Sequence, residues 1–154
     1  MPISRENEFV RFQYDHDKRL LLTTIKPTVP TDDEWQFAKT AVNGFYSSAI
    51  ATETKFAIIL DFRQLQLLPI SRYTDWATFF NELKPQTAVC VLRTAIVTDS
   101  AFVRTALNAF FSLYTTVRPT SFVSTLAEAF SFVKDTTEST DTLNVARNQA
   151  VDCQ

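Results

Sequence analysis

Apolar residues stand at Phe9, Val10, Phe12 and Tyr14, and resume from Leu20 to Ile25 after the polar stretch Asp15, His16, Asp17 and Lys18. Two such runs across a short polar segment predict a β-hairpin, with the aspartates supplying turn chemistry. The period then changes. Thr31 with Glu34 three residues on forms a capping box after Pro30, and Trp35, Ala38, Val42, Phe45 and Ala49 recur at helical spacing. This predicts an amphipathic helix of about five turns.

Phe56 to Leu60 is a continuous apolar run ended by Asp61, the pattern of a strand buried on both faces and hence of a central parallel strand. Beyond the loop from Phe62 to Leu68, Ile70, Tyr73, Trp76, Phe80 and Leu83 share one helical face, and Pro85 is expected to stop further helix. The next strand core is expected at Thr94 to Thr98, with Thr87 to Leu92 open between helix and strand. Asp99 is the expected cap of a third helix carrying Phe102, Ala106, Phe110 and Leu113. Pro119 opens a short strand through Phe122 and Val123. Thr125 and Glu128 then form a second capping box before Leu126, Ala129, Phe130 and Val133. The order is β-β-α-β-α-β-α-β-α. Helices between the later strands require crossovers, so a single α/β domain is expected, its sheet mixed but mostly parallel and its helices packed on it. Residues 136–154 are polar and predict a disordered tail.

Composition narrows the function. A chain of 154 residues with 45% hydrophobic and 21% charged positions suits one globular domain. A net charge of -2 lacks the basic footprint of a nucleic-acid binder. The residues from Met1 to Glu8 lack the basic and apolar regions of a secretory signal, and no apolar run is long enough to span a membrane. Cys90 and Cys153 offer neither a disulfide framework nor a metal-ligand spacing, so a reduced, cytoplasmic setting is expected. The single glycine, Gly44, rules against phosphate loops and dinucleotide fingerprints, and no cofactor is expected. His16 is the only histidine and sits in the hairpin turn. A Ser-His or Cys-His pair would have to recruit that residue, so no enzyme activity is expected.

The apolar strand ending in Asp61, the helix-opening loop about ten residues later and the closing segment RPTSFVSTLAEAFSFV, Arg118 to Val133, occur in an order that resembles the STAS domain. That is the fold of bacterial anti-sigma factor antagonists and of the cytoplasmic tails of sulfate transporters. The resemblance spans residues 8–135. The chain is also similar to divergent bacterial STAS-like proteins described as related to lipid-binding CRAL-TRIO domains. The resemblance implies a non-enzymatic regulatory module that binds a protein partner through the loop and start of the second helix. In the antagonists an Asp-Ser-Ser-Gly motif lies there, and a kinase phosphorylates its second serine. Ser71 matches that serine, whereas Pro69 and Ile70 stand where Asp and the first Ser would be, and Arg72 where Gly would be.

The candidate site is therefore Ser71 and Arg72 with Asp61 and Arg63 beside them. These four, with Thr98 and Asp99, could gather at the carboxyl ends of the strands, where open α/β sheets collect ligands. Each also has a plainer reading. Ser71 suits a helix N-cap, Asp61 a pair with Arg63, Cys90 a small core residue and His16 a solvated turn. The 14 phenylalanines are the remaining anomaly. Phe79 and Phe111 fall beside the helical stripes, and Phe37 widens the first helix's apolar face. Breadth of core explains most of this, but such faces also suit a homodimer interface or a cavity for a small apolar, lipid-like ligand.

Overall fold

The computed structural model describes residues 3–134. Its elements are β1 (Ile3–Glu6), β2 (Val10–Asp15), β3 (Leu20–Ile25), α1 (Asp32–Ala51), β4 (Phe56–Asp61), α2 (Ile70–Glu82), α3 (Lys84–Cys90), β5 (Val91–Val97), α4 (Ala101–Leu113), β6 (Thr120–Val123) and α5 (Leu126–Lys134). The six strands form one sheet in sequential order, antiparallel from β1 to β3 and parallel from β3 to β6. This is the expected α/β domain with a mixed, mostly parallel sheet. The expected tail, 136–154, and Cys153 lie outside the described residues.

Two elements enlarge the predicted order. In β1 all residues are exposed, so no period-two burial marks it, and it is held by backbone pairing to β2. Pro85, expected to stop helix, instead occupies the first turn of α3, where its missing N–H removes no helical bond. The open stretch from Thr87 to Leu92 divides between α3 and β5, and β5 ends at Val97 rather than Thr98.

Strand order that advances in one direction, joined by right-handed crossovers, sends the connecting helices to one face. On that face Phe9, Phe12, Leu21 and Ile58 pack with Trp35, Val42, Tyr46 and Phe79. The other face carries Leu20, Ala57, Ile59, Ala95 and Val97, covered by Ala129 and Val133 of α5. β4 lies between two parallel neighbours and feeds both cores, which explains its unbroken apolar run.

The first capping box forms in full and the second only in half. The Thr31 hydroxyl accepts from Glu34 N–H at 3.1 Å, and Glu34 Oε1 accepts from Thr31 N–H at 2.9 Å. Thr125 accepts from Glu128 N–H at 3.1 Å, but there the glutamate is met by the threonine hydroxyl, also at 3.1 Å. The cap of α4 is Ser100 rather than Asp99, its hydroxyl accepting from Val103 N–H at 3.3 Å. The buried stripe of α4 is also rotated from the expected one. Val103 and Leu107 are buried, while Phe102 and Leu113 are exposed. α4 is apolar around much of its circumference, so periodicity alone does not choose its inner face.

Candidate functional site

Between the sheet and the helices α1, α2 and α4 lies a cavity of about 130 Å³ with an almost wholly hydrocarbon wall. Its floor is the sheet: Val10 and Phe12 from β2, Leu21, Thr23 and Ile25 from β3, Ile58 and Leu60 from β4, and Ile96 from β5. Strand alternation brings Leu21, Thr23 and Ile25 to the same face. Trp35, Ala38, Val42 and Tyr46 contribute one wall from successive turns of α1. The cover comes from Leu65 and Leu68 of the loop after β4, Tyr73, Trp76 and Phe80 of α2, and Leu107, Phe110 and Phe111 of α4.

Rigid rings account for the space. The indoles of Trp35 and Trp76 meet edge to face at 5.1 Å, Trp76 stacks on Phe80 at 5.0 Å, and Phe111 meets Phe110 edge to face at 5.0 Å. Flat groups locked in such pairs cannot flex into a gap as an aliphatic chain can. The half-exposed members of the wall include Phe62, Leu65, Tyr73, Trp76, Phe80, Phe110 and Phe111, all on the loop, α2 or α4. The cavity is partly open to solvent, and these half-exposed walls lie on that side.

Several polar atoms of these rings already have partners. Trp35 Nε1–H donates to Asp75 Oδ2 at 2.6 Å. The Tyr46 hydroxyl is bonded to Thr87 and that of Tyr73 to the backbone of Leu68. Burial pushes both phenol pKa values up, so both tyrosines stay neutral.

The residues predicted from sequence are distributed differently. Asp61, buried at the end of β4, holds Arg63 bidentately, accepting Nε–H at 2.9 Å and Nη2–H at 2.8 Å, and also accepts Arg63 N–H at 3.2 Å. Burial pushes its carboxyl pKa up, but the side-chain and backbone hydrogen bonds and the charge of Arg63 outweigh this and hold it below the ordinary 3.8. Arg72 turns to α1, donating to Asp32 at 2.8 Å and lying over the Trp35 ring at 5.0 Å. Asp61 and Arg72 are thus each committed to a separate pair. Sequential strand order also has no reversal, the feature that opens a ligand crevice at the carboxyl ends of other α/β sheets.

Ser71 is not an N-cap. Pro69 takes that position without a side-chain hydrogen bond, and Ser71 lies exposed in the first turn of α2. Its neighbours Leu67 and Ile70 are also exposed, at 67% and 75%. His16 is exposed in the hairpin turn, its ring edge-on to Tyr14 at 5.1 Å, while Asp15 Oδ1 accepts the N–H groups of Asp17 and Lys18. Cys90 is fully buried, and burial pushes its thiol up to about 11, the condition of an inert core residue. Among the described residues no group of His, Cys, Asp and Glu could hold a metal ion, and no helix is long and apolar enough to cross a membrane.

Sequence reasoning registered the excess of phenylalanine and singled out Phe111, but did not assemble the cavity. Its floor, Phe12 and Thr23, and its polar brace, Asp75, are distant from one another in sequence, and only Asp75's place beside the apolar stripe of α2 hinted at a role. Comparison of the chain with protein-family models, with curated proteins and with solved structures gives no match.

Proposed function

We propose that this chain is a non-catalytic binding module that takes up a small apolar ligand between its sheet and helices α1, α2 and α4. The observation that carries this reading is the cavity of about 130 Å³ with its hydrocarbon wall. Close packing ordinarily leaves few voids larger than a water molecule, and an apolar void forfeits the contacts that would otherwise stabilise the core. A ligand restores those contacts. The similarity to STAS-like proteins related to CRAL-TRIO domains agrees with such a role. The test is organic extraction of protein purified from its source cells, with mass analysis of the extract. A stoichiometric apolar compound supports carriage or sensing, and an empty extract argues against it.

A second reading, protein recognition of the STAS type, is favoured by the exposed Leu67 and Ile70 flanking exposed Ser71 at the start of α2. Apolar side chains standing in water beside a modifiable hydroxyl suit a regulated contact. Native mass spectrometry of the same sample tests it. A partner or a second copy whose binding is weakened by Ser71→Glu and Ile70→Glu supports this reading, while a monomer, or a complex unchanged by both variants, removes the loop and α2 from the account.

A further inference from the structure

Resting on the apolar-ligand reading, we propose that the cavity takes one neutral molecule of single-ring size, an arene or a hydrocarbon of similar bulk, and not a long acyl chain. Volume is the first argument. At about 130 Å³ the cavity is close to a known engineered apolar cavity of about 150 Å³, which stays dry and accepts benzene or xenon. A long acyl chain is much bulkier than either of those guests.

Polarity is the second. Among the described residues no charged side chain lines the wall, the Trp35 Nε1–H is already bonded to Asp75, and the phenol oxygens of Tyr46 and Tyr73 already have partners in Thr87 and the Leu68 backbone. An ionised headgroup inside would lose its hydration with no counter-charge in return. Thr23 alone adds an aliphatic hydroxyl to the floor. Shape is the third. Phe12 below and Trp76, Phe80 and Phe111 above offer ring faces and edges, the surfaces against which a flat aromatic guest packs best.

The experiment titrates the full-length protein with benzene, toluene, naphthalene, dodecanoate and palmitate, following amide NMR shifts and Tm. Benzene or toluene should shift the amides of Val42, Leu107 and Phe110 saturably and raise Tm by about 3 °C at ten times Kd. Ala38→Leu, which fills the wall from α1, should weaken that binding about tenfold or more. Leu107→Phe is the second filling variant should the first not keep its native spectrum. Saturable binding of dodecanoate or palmitate without benzene or toluene would overturn the single-ring assignment and leave the apolar-ligand reading standing. Failure of all five probes, together with no xenon-induced shift, would overturn both. Benzene binding unaffected by either folded filling variant would place the guest elsewhere and overturn the assignment to this cavity.

Discussion

Trp35 on α1 and Asp75 on α2 are joined by a 2.6 Å hydrogen bond across 40 positions of sequence, at the edge of the cavity. The same carboxylate oxygen accepts Lys39 Nζ at 2.8 Å, and Arg72 covers the Trp35 ring at 5.0 Å. One carboxylate therefore ties two helices that wall the same space. Replacing it should loosen the wall without disturbing the sheet. Asp75→Ala is expected to lower stability by about 1 to 2 kcal/mol, and Asp75→Asn, whose amide oxygen still accepts from Trp35, by about half as much. Urea midpoints of the two variants check this, and equal losses would show that the indole bond contributes nothing.

Acid should act through two carboxylates. Lys39 first, and then Trp35, hold Asp75 below the ordinary 3.8, and the Arg63 bonds do the same for Asp61 against its burial. A carboxyl whose folded pKa is depressed stabilises the fold above the unfolded value, and that contribution is lost as pH falls through the folded one. Stability should therefore decline as pH drops below 3.8. The double variant Asp61→Asn/Asp75→Asn should be less stable at pH 7 and show a flatter decline under acid, as read from urea midpoints at pH 2 to 7.

Glu53 closes α1 in a left-handed conformation, φ 55°, without the glycine usual there. Its N–H bonds to Ile50 carbonyl at 3.1 Å and Thr54 N–H to Ala49 carbonyl at 2.8 Å, the paired bonds of a Schellman motif. A side chain in this region costs about 1 kcal/mol that glycine avoids. Glu53→Gly is expected to raise Tm by a few degrees. A lowered Tm would show that the Glu53 side chain contributes more than its strain.

Cys90 should resist alkylation. With no exposed surface and a thiol pushed up to about 11, it presents little thiolate at pH 8. Peptide mapping after iodoacetamide treatment should find Cys90 unmodified in native protein and modified once urea unfolds it.

Leu107 fixes α4 over the cavity together with Val103 and Ile96. Leu107→Ala should enlarge the space and cost about 2 to 4 kcal/mol. It should also admit naphthalene more tightly than the unmodified protein does, a gain measurable by the same NMR titration.

The alternating hairpin, the Thr31 capping box, the Thr125 hydroxyl cap and the unbroken apolar run of β4 were legible along the chain, because each depends on residues a few positions apart. The crossovers between later strands then left a mostly parallel sheet as the simple outcome. Asp61 with Arg63 was legible for the same reason, two residues apart and on one loop. Ser71 was not: cap preference pointed to it, yet Pro69, with its φ fixed, sets the helix start two residues earlier.

Tertiary structure alone decided the inner face of α4, where Val103 and Leu107 turn inward and Phe102 outward though all are apolar. It also decided the bond from Trp35 to Asp75 and the space above Phe12 and Thr23. Local sequence specifies period, caps and turns. A cavity is what remains when rigid rings from separate elements meet at fixed distances from a sheet, and that volume is determined only where those elements come together.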